Sequence, residues 1–200
     1  MSAMSNSRVV PLRTRASGDP QWSDEAVALA CGSGDPTAVA ELFERFQNTV
    51  TRFLSRAANP GDVDDLVQAT FLQIARGSAH FDGRSSVRTW LLAIASNVLR
   101  QHYRTNARRR KLLSALTLVE PSHTNSDLSS QVAARRDIEG VRAALSALPE
   151  PTRLAFLLCE VEGLSAREAA IILDANETTI WKRVSDARKR LLQAAGELRA

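Results

Sequence analysis

The sequence predicts an all-α protein: two small helical domains joined by a flexible linker. Three observations carry that prediction. Apolar residues recur at helical spacing through most of the chain, no segment alternates with the two-residue period of a strand, and one polar, turn-prone stretch interrupts the helical pattern beyond the midpoint. Two hundred residues suffice for one large domain or two small ones. The hydrophobic content of 44% is that of an ordinary globular protein.

The elements follow in order. Residues 1–22 read as a disordered tail: Arg8, Arg13 and Arg15 lie there without an apolar core of the kind a secretory signal needs. The first domain spans 23–106. Ser23 is placed to cap a short helix ending before Gly32. Asp35-Pro36 starts the next helix, with an oxygen acceptor at the N-cap and proline in the first turn. Val39, Leu42, Phe43, Phe46, Val50, Phe53 and Leu54 form its apolar stripe. Asn59-Pro60-Gly61 breaks the chain. Asp62 then caps a helix that points Val63, Leu66, Val67, Thr70, Phe71 and Ile74 inward. After a loop from Gly77 to Gly83, a long helix begins near Ser86. Its buried stripe is Val87, Trp90, Leu91, Ile94, Ala95 and Val98, and the opposite edge carries Ser96, Asn97, Arg100, Arg104 and, if the helix continues, Arg108.

Residues 107–136 read as the linker: Arg108-Arg-Arg-Lys111 precedes the turn-prone run from Pro121 to Ser130. The second domain spans 137–196, with Ile138, Val141, Leu145, Leu154, Leu157, Leu158 and Val161 inward. Ser165-Ala-Arg-Glu168 is a capping box opening a short helix. Asp174-Ala175-Asn176 makes the turn, and Asn176 caps the following helix. That helix turns Ile180, Val184, Ala187 and Leu191 inward and presents Thr178, Lys182, Ser185 and Lys189 outward, with Trp181 on the border. Two short helices about a tight turn, the second amphipathic and basic, read as a helix-turn-helix with its recognition helix.

Charge is distributed unevenly. From Arg76 to Lys111 there are nine Arg/Lys against one acid, Asp82, whereas Glu41, Glu44, Asp62, Asp64 and Asp65 make the preceding segment acidic. A nucleic-acid face beside a protein-binding face accounts for that asymmetry. Several classes are excluded. No apolar run approaches the ~18 residues of a membrane span, and no phosphate-cradling glycine loop, nucleophile elbow or paired-carboxylate site is present. The expectation is therefore no catalysis of its own and no cofactor. The two cysteines, Cys31 and Cys159, sit in apolar helical segments as small thiols of a reducing cytoplasm. The three histidines lack metal-ligand spacing.

Three further motifs occur in a telling order: Asp65-Leu-Val-Gln-Ala-Thr-Phe71, the run from Phe81 to Arg104, and Leu145-Ser-Ala-Leu-Pro-Glu150 followed by Glu162-Gly-Leu-Ser165. Together they resemble regions 2 and 4 of an extracytoplasmic-function sigma factor of the sigma-70 family, over roughly residues 24–193. The resemblance implies a subunit that binds core RNA polymerase and promoter DNA, reading and melting the −10 element with region 2 and reading the −35 element with region 4. It also implies an anti-sigma partner. The helix from Asp62 to Arg76 resembles the polymerase-docking segment, with Asp65, Gln68, Leu72 and Arg76 on the face opposite its apolar stripe. The loop from Phe81 to Val87 resembles the element that captures an unstacked −10 base.

The residue chemistry agrees. Melting costs about 1.4 kcal/mol per stacked step, and extruding a base a few more. Asn97 or Gln101 can hydrogen-bond a base edge, Trp90 either packs in the core or offers a stacking surface, and Arg84, Arg88, Arg100 and Arg104 suit phosphates. For the −35 element, Thr178, Lys182 and Ser185 suit groove contacts and Arg183 and Arg188 phosphates. Trp181 and Asp186 stand where relatives are commonly basic; Trp181 either packs over the core edge or meets a thymine methyl. Asp174 replaces a common glycine, a substitution aspartate tolerates in the left-handed conformation. Two alternatives remain: a helix-turn-helix regulator acting without polymerase, and a metal nuclease using Asp62, Asp64 and Asp65, acids that a helix start also explains.

Overall fold

The computed structural model describes residues 22–77, 79–116 and 133–197. Eight α-helices are described: α1 (Asp24–Gly32), α2 (Pro36–Ala57), α3 (Val63–Ala75), α4 (Val87–Leu116), α5 (Ala133–Ala147), α6 (Glu150–Phe156), α7 (Ala166–Leu173) and α8 (Glu177–Glu197), with no strand among the described residues. The tail to residue 21 and residues 117–132 of the expected linker lie outside the description.

Local chemistry sets the helix starts. Ser23 Oγ accepts from the Ala26 amide, Asp35 Oδ1 from Thr37 and Asn176 Oδ1 from Thr179, so orphan amides at three N-termini are satisfied. The capping box of α7 is complete: Ser165 Oγ accepts from the Glu168 amide while Glu168 Oε2 accepts from the Ser165 amide and hydroxyl. Those bonds from Ser165 hold the Glu168 carboxyl below its usual range. Because the folded value is lowered, the cap contributes fully above the ordinary carboxylate range and is lost as pH falls through that lowered value. Ser165→Ala should cost about 1 kcal/mol at neutral pH and less in acid, read as a shift in the urea midpoint.

Asp62 departs from expectation. Pro60–Asp62 forms a 3₁₀ turn, and Asp62 makes no side-chain cap to α3. Its carboxylate instead accepts from Asn59 Nδ2 at 3.3 Å and lies 3.3 Å from His102 Nε2 on α4. Helix α4 also runs past residue 107, where the linker was expected, to Leu116. Arg, Lys, Leu and Ala in that stretch are good helix formers and carry the helix onward.

Helices α1 and α3 flank α2, and α4 packs against α1, α2 and α3. Leu42, Val50, Phe53, Leu54, Leu66, Ile74 and Leu91 are buried at this junction. The buried arc of α4 is wider than the sequence stripe: Leu92, Ser96 and Leu99 are fully buried as well. Ser96 is thus an interior residue rather than part of the polar edge. Phe43, expected inside, is partly exposed and edges against Phe71 at 4.9 Å.

In the second unit α6, α7 and α8 enclose Leu154, Leu157, Leu158, Ile180, Val184 and Ala187, with α5 against α8. Val141 and Val161, expected inward, are exposed at 56% and 41%. The chain from Leu157 to Val161 widens into a π turn, in which the Glu162 amide donates to the Leu157 carbonyl. That inserted turn rotates Val161 outward and ends at Gly163, whose φ of 73° glycine adopts without strain.

Candidate nucleic-acid interface

Helix α4 positions the first group of predicted residues. The Ser86 hydroxyl accepts from the Thr89 amide at 3.0 Å and so begins the helix. Asn97, Gln101 and Arg104 are exposed and Arg100 half-buried on one side of α4, while Leu91, Ala95 and Val98 anchor the other. In the preceding loop, Asp82 Oδ1 accepts from the Arg84 amide, closing a turn through Gly83 at φ 73°. Arg84 itself stands free of the core, 89% exposed in its side chain. Trp90 is half-buried, tilted against Phe81 with ring centroids 5.4 Å apart. That ring contact ties the loop to the helix. Together these residues put amides, cations and part of an indole along one strip about four turns long.

On α3, Asp65, Gln68, Leu72 and Arg76 are all exposed on one face, and Leu72 keeps 42% of its surface. Inside, Thr70 donates to the Leu66 carbonyl at 2.7 Å and turns no polar atom outward.

The third group lies on α8. Asp174 adopts φ 50°, ψ 57°, the left-handed turn expected of it. Thr178, Lys182, Ser185 and Arg188 are exposed and Arg183 is half-buried. Trp181, expected either over the core edge or outward, is 57% exposed. It sits next to Ile180, which is fully buried, so the helix is seated by its neighbour and the indole projects from the surface. Arg188 is bonded to Glu160 at 2.7 Å.

Sequence reasoning missed what ties the two units together. Arg88 Nη1 donates to the Glu162 carbonyl at 2.8 Å, and Arg88 Nη2 pairs with the Glu162 carboxylate. Arg56 Nη1 lies 3.6 Å from the other Glu162 oxygen. Arg153, 7% exposed, donates to the Tyr103 hydroxyl at 3.2 Å and to the Ser146 carbonyl, with its guanidinium 5.7 Å from the Tyr103 ring centre. Burial raises the Tyr103 pKa, keeping the phenol protonated as a neutral acceptor for that cation. Nothing in spacing marks Glu162 or Arg153, because their partners lie on distant helices. Cys31 is fully buried and its thiol is pushed up to about 11, chiefly by burial, so it stays protonated. No cluster of three His, Cys, Asp or Glu capable of holding a metal occurs among the described residues. None of their helices is long and apolar enough to cross a membrane.

Comparison with known proteins agrees with this layout. The family models described as Sigma-70 region 2 and Sigma-70, region 4 match residues 42–109 and 138–191. The ECF RNA polymerase sigma factor SigC of Mycobacterium tuberculosis is 35% identical over 176 residues, covering 86% of this chain and 92% of that protein. CnrH, solved in complex with the cytosolic domain of CnrY, superposes with TM-score 0.61 at 25% identity, over 87% of this chain and 97% of that one. The sigma factor RpoE of Bartonella quintana, solved with the anti-sigma factor NepR, shares the fold with TM-score 0.62 at 24% identity, over 78% of this chain and 96% of that one. Both matched regions, and the identity shared along nearly the whole length, show that the chain belongs to the extracytoplasmic-function RNA polymerase sigma factors of the sigma-70 family.

Proposed function

We propose that this sigma factor binds core RNA polymerase through α3 and directs it to promoters, with residues 23–106 reading the −10 element and residues 137–196 the −35 element. The single observation that carries the proposal is the strip on α4. Exposed Asn97 and Gln101 lie among Arg100 and Arg104 on a helix whose other side is buried, an arrangement that pairs base-reading amides with phosphate-holding cations. Arg84 and Arg88 extend it toward the loop, and Trp90 borders an unstacked base. Thr178, Trp181, Lys182 and Ser185 read the −35 groove, with Arg183 and Arg188 on phosphates. Asp65, Gln68, Leu72 and Arg76 meet the polymerase. The subunit works in the cytoplasm, has no catalysis of its own, and is restrained by an anti-sigma protein.

Run-off transcription from purified core polymerase, with and without the chain, tests the whole reading. Promoter-dependent product should appear only on addition. A regulator that acts without polymerase yields none, and leaves the exposed α3 face without a role.

Asn97→Ala separates the steps. It should slow open-complex formation about tenfold, one lost base contact being worth about 1–3 kcal/mol, while polymerase affinity stays unchanged. Permanganate footprinting of the melted region, set beside a binding titration, reads the two effects. Equal loss in both would remove Asn97 from base recognition.

A further inference from the structure

We infer that a groove lined by α2, α5 and α8 binds a long-chain fatty acid, its hydrocarbon chain on the apolar lining and its carboxylate on the arginines of α2 and α5. The groove shares no residue with the surfaces proposed to meet DNA or polymerase, so the inference stands apart from that reading.

The apolar lining consists of residues whose spacing asks for burial and whose packing does not supply it. Val141 and Val161 belong to apolar helical stripes, yet they are 56% and 41% exposed. Both line this groove, together with Leu145, Leu157 and Leu191. The π turn is what brings Val161 out to it. Gly140 and Ala144 lie one turn apart on α5, and the first brings no side chain and the second only a methyl. The space left is about 630 Å³, within the range of roughly 300–1,000 Å³ common among small-molecule sites. Hydrocarbon laid on such a surface removes apolar area of both partners from water.

The charged lining selects the other end of the ligand. It holds three cations, Arg52, Arg56 and Arg142, and no acid. Arg52 and Arg56 stand one turn apart on α2. Arg142 joins them from α5, its Nη2 donating to the Ser55 carbonyl at 3.4 Å. Arg52 Nε donates to the Asn48 carbonyl at 3.3 Å. Neither Arg52 nor Arg142 has an acid partner among the described residues. Arg56 lies 3.6 Å from Glu162, which offsets part of the charge. What remains suits a singly charged head better than a doubly charged one, and a guanidinium fork takes a carboxylate with two parallel hydrogen bonds. An aliphatic acid satisfies both halves of the groove at once.

The test is isothermal titration calorimetry of the full chain with decanoate, dodecanoate and tetradecanoate, each below its critical micelle concentration. Affinity should rise about fourfold for every methylene the groove encloses. Dodecanol, the same chain without the charge, should bind about tenfold more weakly than dodecanoate, and dodecyl phosphate no more tightly. Arg142→Ala should lower dodecanoate affinity about tenfold. Arg167→Ala, which removes an exposed cation from α7, should leave it unchanged. Ala144→Trp, which fills the groove, should abolish binding with helical circular dichroism retained. Val161→Asp, at an exposed position, supplies the same test should the indole upset folding. No saturable heat with any of the three acids overturns the site and leaves the groove to a protein partner. Affinity indifferent to chain length overturns the apolar seat. Dodecanol binding as well as dodecanoate, or dodecyl phosphate binding better, overturns the carboxylate assignment. Equal losses in Arg142→Ala and Arg167→Ala, or parental binding by both Ala144→Trp and Val161→Asp, overturn the placement in this groove.

Discussion

Leu99→Ala should lower the stability of the chain by about 3 kcal/mol, the middle of the range for a buried leucine truncated to alanine. Leu99 is fully buried halfway along α4, beside Arg100. The lost methyl groups leave a cavity that the helix closes poorly, since Leu92 and Ser96 on the same row are buried too. Leu112→Ala on the same helix, where the leucine is 67% exposed, should move stability by no more than about 0.5 kcal/mol. Urea denaturation followed by circular dichroism reads both, with the slope unchanged if only stability is altered. A loss below 1 kcal/mol at Leu99 would mean that α4 is not gripped on that side. The seat bears on the proposed function as well, because the arginines and amides proposed to meet DNA are held in place only as firmly as the helix beneath them.

Leu72→Asp should weaken binding to core polymerase about thirtyfold, equivalent to about 2 kcal/mol, as expected when a charge replaces an apolar anchor at the centre of an interface. The fold should barely notice. Leu72 keeps 42% of its surface, and the inward row of α3 is Val63, Leu66, Val67, Thr70, Phe71 and Ile74. An acid near a helix C-terminus opposes the dipole and costs about 0.5 kcal/mol, so Leu72→Ala is the cleaner companion and should show a smaller loss of affinity with no such penalty. Biolayer interferometry on immobilised core enzyme measures both. Unchanged affinity in Leu72→Asp would remove this face from the interface, while leaving DNA binding by the other surfaces untouched.

Much of this was legible before any coordinates. The caps at Ser23, Asp35, Ser165 and Asn176 are local hydrogen bonds between residues two or three apart, so their chemistry is written in the order of the chain. The left-handed turn at Asp174 follows for the same reason. The exposed face of α3 follows from helical periodicity alone, since it only requires that the opposite face be buried. Where expectation failed, a neighbour intervened. Asp62 abandons its cap for His102, forty residues on; Ser96 leaves the polar edge because α4 is buried over a wider arc than one stripe; and Val161 turns out of the core because a π turn adds a residue to the helix.

By itself, then, the order of residues determined the helical pattern though not the break between α5 and α6: which faces seek a core, where most helices begin, and which cations and amides share an edge. Hydrophobic spacing and capping act over four or five residues, and that range covers all of it. Only the tertiary structure decided that Glu162 sits between Arg88 and Arg56, that Arg153 is buried over Tyr103, and that Arg183 faces Arg100 and Arg104. Each of these joins residues tens of positions apart on different helices. Charge attraction is blind to sequence distance, and its partner is chosen only once packing has brought the helices together.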